Sequence, residues 1–226
     1  MDNEYGVLEL LTKGREMIDQ YELELGLKFY TKAQEMEPEN TAIMDDRAEV
    51  MLQLGLLEDA YDVLHKSITL SPDSNASKYL NMSQVVEGSE AERYGLLGIT
   101  RLLKEDLTSE TIRKQICDAY CSLGELYVTD LWYVQRHSLD ILTKKYNKYI
   151  FKNREHHVIK YLYCFYSFDE SAEEKCEEYL EKAMSYDVGS PEPTQAYANL
   201  RFVQKRNEEA KNYMMQSFDR IKKLGT

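Results

Sequence analysis

Asp45, Asp46 and Glu49 crowd one short stretch, TAIMDDRAEV, which reads as helix. Residues three and four apart lie side by side on a helix, so these carboxylates converge on one surface. No histidine, serine or cysteine stands beside them to act as nucleophile or proton shuttle. Their chemistry is therefore recognition: ionised carboxylates accept charge-assisted hydrogen bonds from Lys and Arg. Each such bond contributes about 1.5–3 kcal/mol when partly desolvated, and less when exposed. Asp118, Glu125 and Asp130 form a second candidate set in CDAYCSLGELYVTD. Their spacing does not let all three share one helix face.

Other chemistries lack their residues. There is no glycine-rich phosphate loop, no HExxH pair, and no Ser-His-Asp order in a strand context, so an enzyme is not expected. Cys117 and Cys121 share a helix face at i, i+4, but no second ligand pair stands at a matching spacing. No metal or other cofactor is expected, and the cysteines read as small buried hydrophobes.

The charge balance agrees with a cationic partner. The 226 residues carry 40 Asp and Glu against 28 Lys and Arg, a formal net charge of −12. An acidic chain repels phosphate backbones, so direct nucleic-acid binding is not expected. The chain opens MDNEYG, without a basic or apolar leader, and its most apolar run, Val158 to Phe168, includes Lys160 and is too short to cross a bilayer. A reduced cytoplasmic or nuclear location and a monomer are expected.

The carboxylates need a scaffold, and the sequence describes one. Ala48, Ala60 and Ser67 are small residues at intervals of 12 and 7, with Gly55 at a turn and Pro72 closing the unit. Shifted back by 34 positions, Gly14, Gly26, Ala33 and Pro38 hold the same places, with Tyr30 where Leu64 stands. Ala198, Ala210 and Ser217 repeat the 12 and 7, with Met214 in the large apolar slot. A 34-residue helix–turn–helix period marks tetratricopeptide (TPR) repeats. The expected fold is all-α: a right-handed superhelix of stacked helical hairpins forming one domain over residues 1–226. The repeats are read at about 7–40, 41–74, 75–106, 109–189 and 191–224.

The third repeat is shortened, with Ala91 and Gly98 keeping the interval of 7. Ser109 reads as the cap of a long helix over about 109–131. Residues 134–168 then break the pattern, with seven basic and two acidic residues and no repeat offset. They read as an insertion, either a loop or a gene-model artefact. Cys176 and Ala183 resume the interval of 7. Ser190 reads as a helix cap, with Pro191 at the first helical position, and a last helix spans about 207–224.

Five strings taken in order carry a resemblance: SKYLNMSQVVEG (77–88), YGLLGITRLL (94–103), CDAYCSLGELYVTDL (117–131), AEEKCEEYLEKA (172–183) and SPEPTQAYANLRFVQKRNEEA (190–210). The chain resembles the TPR proteins that act as assembly chaperones of ribosomal protein four of the large subunit. The resemblance skips 134–168. It implies a dedicated chaperone that takes newly made ribosomal protein four, shields its basic extended segment and escorts it to the nucleus for large-subunit assembly.

The concave groove of a TPR array is lined mainly by the first helix of each repeat. Arrays that hold a peptide carboxylate need Lys, Arg and Asn there, and only Arg15 and Asn199 fit. Asp and Glu at these offsets in the second repeat suit a Lys- and Arg-rich segment instead. A generic TPR interaction scaffold or co-chaperone adaptor for an acidic-tailed partner is the other reading, and it requires a basic groove.

Overall fold

The computed structural model describes residues 5–136 and 171–224. These form ten helices and no strand. The chain divides into two compact units, Met1–Glu105 and Asp106–Thr226.

Unit 1 is three successive helical hairpins. α1 (Val7–Asp19) pairs with α2 (Leu23–Met36), α3 (Thr41–Gln53) with α4 (Leu57–Leu70), and α5 (Ser77–Val85) with α6 (Gly88–Leu102). The first two hairpins share one turn. Tyr21 and Gly55, 34 positions apart, both take a left-handed backbone, with φ of 63° and 74°. The next amide reaches back across the turn in each: Glu22 N to Met17 O at 2.8 Å and Leu56 N to Met51 O at 2.9 Å. This six-to-one bond satisfies the carbonyls that a helix end leaves open. Gly55 adopts that φ without penalty, whereas Tyr21 adopts it as a non-glycine residue.

The small residues sit where helices approach. Gly14, Gly26, Ala33, Ala48, Ala60, Ser67, Ala91 and Gly98 are all buried, while Pro38 and Pro72 lie exposed in the loops after α2 and α4. A Cβ on Gly98 would meet Leu80 Cδ2 at 2.4 Å and Cγ at 2.7 Å. Gly98→Ala is therefore expected to destabilise the chain. Overpacking costs about 1–3 kcal/mol, which exceeds the ~1 kcal/mol gained in helix propensity. Denaturant midpoints check this against Gly6→Ala, where nothing lies within 4 Å of the added Cβ.

The core of unit 1 runs along the hairpins. Leu10, Ala33 and Ile43 form one buried cluster, and Ala48, Leu64 and Met82 the next. The repeat register of first helices holds into α5, because Gly14, Ala48 and Met82 are each 34 residues apart. The shortening of the third hairpin thus falls after Met82, and α5 has nine residues where α3 has thirteen.

Unit 2 holds α7 (Glu110–Arg136), α8 (Ala172–Ser185), α9 (Glu192–Val203) and α10 (Asn207–Leu224). α7 continues to Arg136, so residues 134–136 of the expected insertion are helical. The rest of that segment, with His137, His156, His157 and Cys164, lies outside the described residues. α7 packs on α8 through Gly124, whose bare backbone faces Leu180; a Cβ there would stand 2.7 Å from Leu180 Cδ2. Cys176 and Ala183 are buried. Tyr179 of α8 stacks between Tyr120 and Tyr127 of α7, with ring centroids 6.2 and 6.0 Å apart.

α9 and α10 reproduce the shared turn of unit 1. Lys205 has φ of 61°, and Arg206 N donates to Arg201 O at 2.8 Å. Ala198, Ala210 and Ser217 are buried at this hairpin. The start of α9 differs from the sequence expectation by one residue. Pro191 is the N-cap, and the buried Ser190 hydroxyl has no hydrogen-bond partner among the described residues. Thr194 instead turns its hydroxyl back onto Pro191 O at 2.8 Å, and Gln195 N closes the first turn on the same carbonyl at 3.0 Å.

Candidate functional site

The carboxylates of α3 begin with a well-made helix start. Asn40 caps α3, its Oδ1 accepting from Ala42 N at 3.0 Å and Ile43 N at 3.4 Å. Ile43, Met44, Ala48, Val50 and Met51 are buried, which fixes the rotation of the helix. Asp46 and Glu49 then lie on its more open side, Asp46 half-buried and Glu49 exposed.

Both carboxyls sit above the usual carboxylate range. Burial is the main cause for each; for Asp46 the Arg15 guanidinium pulls the other way and Asp45 pushes up. For Glu49 the charge of Asp46 adds to burial. Arg15 of α1 approaches Asp46 only to 3.9 Å and is itself largely exposed. This local surface holds two partly desolvated carboxylates and one loosely paired guanidinium.

Tyr30 belongs to the same place. Its ring lies against the bare face of Gly14, where a Cβ would stand 2.8 Å from Cε1. The ring is core, but burial and the charge of Asp46 raise its phenol, while a hydrogen bond to Arg15 lowers it. Sequence reading places Tyr30 only in the core. The signal available is its difference from Leu64: a hydroxyl at a slot that is otherwise purely apolar.

Asp45 is a correction. It is 4% exposed, buried where Asp46 is half-buried and Glu49 exposed. Its Oδ1 accepts from Ser67 Oγ at 2.5 Å and its Oδ2 from Asn75 Nδ2 at 3.0 Å. Adjacent helical residues point about 100° apart, and here the boundary falls between the two aspartates: Asp45 lies on the buried side with Met44 and Ala48, Asp46 on the open side. Asp45 therefore secures the loop between α4 and α5 and is not available to a partner.

That loop is held from a second side by Lys78, which has no exposed surface. Its ammonium donates to Ser71 O, to Ser67 O at 3.4 Å and to Ser74 Oγ at 2.8 Å. Burial draws its pKa down, with Asp45 opposing. Pro72 O accepts from Tyr79 OH at 2.5 Å and from Arg101 Nη2 at 2.7 Å.

In unit 2 the second candidate set is dispersed. Asp118 is occupied by Lys114, Nζ to Oδ2 at 2.7 Å, and its other oxygen is buried. Glu125 is exposed at its residue surface, yet burial pushes its carboxyl up. Asp130 falls within α7, where its side chain lies outside the described residues. Asn199 is exposed on α9. Among the described residues no group of three or more His, Cys, Asp or Glu could hold a metal ion. Cys117, Cys121 and Cys176 are free thiols and buried. Among the described residues no helix is long and apolar enough to cross a membrane.

No protein-family model matches the chain. The probable assembly chaperone of rpl4 from Schizosaccharomyces pombe is 27% identical over 169 residues, 73% of this chain and 40% of that protein. The chain thus spans about two fifths of the length of this relative. A solved structure of residues 1–338 of the Assembly Chaperone of RpL4 (Acl4) superposes with a TM-score of 0.64 at 19% identity, covering 95% of this chain and 75% of that one. A thermophilic TPR protein of Thermus thermophilus gives 0.54 at 15% identity, over 95% and 91% of the two chains. MamA gives 0.53 at 15% identity, over 94% and 96%. At these identities the structures share the fold alone. With its 34-residue hairpins and this likeness, the chain has the all-α fold of a TPR protein.

Proposed function

We propose that this chain is a dedicated, non-catalytic chaperone of newly made ribosomal protein four of the large subunit. It shields a basic extended segment of that client against an acidic helical face and escorts it for ribosome assembly. The observation that carries the reading is the pair Asp46 and Glu49, partly desolvated and with carboxyls pushed up. Such a pair gains from an incoming Lys or Arg, which brings the opposite charge and the donors for charge-assisted hydrogen bonds. The named function of the Schizosaccharomyces pombe relative supports the choice of client.

The physical need is plain. Extended basic segments made to bind rRNA cannot fold alone and adhere to any polyanion. Carboxylates neutralise them without competing for RNA, and release follows when phosphates offer more charge. Asp46 and Glu49 are the first contacts in this reading. Glu125 is a further contact, Asp118 is one only if Lys114 yields, and Asp130 stands on sequence alone. The client's route places the chain in the cytoplasm and the nucleus, with no direct contact to nucleic acid.

Affinity capture with the tagged chain tests the proposal. Ribosomal protein four is the expected main partner, and its recovery is expected to fall about tenfold or more as salt rises from about 0.1 to 0.5 M. Recovery of proteins with acidic tails in its place, or recovery indifferent to salt, would overturn the reading.

A further inference from the structure

We propose that Arg15 is an internal competitor for the client: its guanidinium holds the place beside Asp46 that a basic side chain of the client takes on binding. This inference rests on the client reading and adds the exchange by which that site is entered. It begins with the repeat register. Arg15 and Glu49 are 34 residues apart, so they hold one position on the first helices of successive hairpins. Gly14 and Ala48, the residues before them, are both buried at that register. The position is basic in the first hairpin and acidic in the second.

Two groups turn Arg15 toward α3. The Tyr30 phenol hydrogen-bonds with it, and Tyr30 is 3% exposed, its ring seated against Gly14. Asp46 is the second neighbour, with Arg15 Nη2 at 3.9 Å from its Oδ2. The Arg15 side chain is nevertheless 72% exposed. A guanidinium carries five N–H donors in a fixed fork, and full pairing with a carboxylate brings donors to about 2.7–2.9 Å. At 3.9 Å Arg15 marks the place of a cation without making those bonds. An exposed pair of this length is weak, so a client cation displaces it without opening the fold.

The exchange sets what the site accepts. A lone Lys or Arg replaces one cation by another and gains little. Asp46 and Glu49, three apart on α3, are separated by about 5–6 Å at Cβ. Side chains on alternate residues of an extended segment are spaced by about 6.5–7 Å. A segment with basic side chains at alternate residues therefore displaces Arg15 from Asp46 and gains Glu49 as well. The site fits an extended chain that is basic at every second residue.

Fluorescence anisotropy on the full chain, with a labelled eight-residue Arg-Gly repeat at about 50 mM salt, tests this. Arg15→Gln keeps a polar side chain and removes the charge. It is expected to tighten binding about three- to fivefold. In an Asp46→Asn chain the same substitution should be worth less than about twofold, since the competition is for Asp46. Lys13 lies on α1 over the Tyr5 ring. Lys13→Gln, an equal change in net charge, should alter affinity by less than about twofold. Weaker binding by Arg15→Gln makes Arg15 a client contact and overturns the proposal. Unchanged affinity, a gain just as large in the Asp46→Asn chain, or a gain matched by Lys13→Gln overturns it too. Each of these leaves the client reading standing, because the peptide still binds. Peptide bound by neither form, with helicity by circular dichroism intact, overturns the client reading and this inference with it.

Discussion

Asp45→Ala is expected to cost about 3–5 kcal/mol, because it leaves the Lys78 ammonium buried beside no compensating charge. The carboxylate does three things at once. It accepts from Ser67 across the α3–α4 hairpin, accepts from Asn75 in the next loop, and offsets the burial of Lys78. Its loss should appear in a denaturant midpoint or as a lowered melting temperature. The internal repeats suggest how to recover the stability. Leu10, Met44 and Lys78 occupy one repeat position, and Leu11 with Ala33 stand where Asp45 and Ser67 stand one repeat later. Restoring the apolar set with Asp45→Leu, Ser67→Ala and Lys78→Met should regain most of the loss, since a buried network of charged groups is often no more stable than a packed apolar replacement. The single costs should therefore exceed the triple cost. An Asp45→Ala penalty below about 1 kcal/mol, the worth of one ordinary hydrogen bond, would refute the network.

Reversing Asp46 and Glu49 to Lys, with Asp45 left alone, is expected to lower client affinity at least about 100-fold. A partly desolvated contact at about 1.5–3 kcal/mol and a weaker exposed one are lost, two like charges are set against the client, and about 1.4 kcal/mol is a factor of ten. Including Asp45 in the reversal would unfold the hairpin and lose the client for an unrelated reason. Asp46→Asn with Glu49→Gln separates charge from shape and should give an intermediate loss. Acid should act in the same direction. Both carboxyls hold their protons at higher pH than ordinary carboxylates, so client affinity should begin to fall while pH is still above about 4–4.5. The sign for folding is opposite. A carboxyl raised in the folded chain binds protons better there than when unfolded, so these two groups cost the free chain stability as pH rises through that window. Affinity unchanged by the reversal, with the fold intact, would remove these residues from the client site.

The repeat was legible because its spacing is mechanical. Glycine, alanine and serine recur where helices must approach, and nothing but a repeated packing problem enforces 12, 7 and 34 together. The shared turn was legible only at Gly55; Tyr21 and Lys205 carry the same left-handed backbone without a glycine to announce it. Asp45 was assigned to an open face because adjacent acids look alike in one dimension, whereas the helix turns them apart. The clue was present as a paired exchange, Leu11 and Ala33 becoming Asp45 and Ser67. Lys78 carried a similar clue, a lysine in a core register. Neither can be weighed without knowing which loop atoms stand near, since a buried charge is stable only with partners from several segments. The start of α9 shifted because Thr194 and Gln195 both close their turn on Pro191 O, a tertiary choice that a serine before a proline does not announce.

Cys176 offers a consequence for how unit 2 breathes. Its sulfur donates to Gly124 O at 3.3 Å, it has no exposed surface, and burial pushes its thiol up to about 12. Only the thiolate reacts with alkylating agents and oxidants, so in the closed molecule this sulfur is chemically silent. It becomes reactive when α8 lifts from α7. The rate at which a reagent marks this one peptide is then a clock for that opening, ticking without any engineered label.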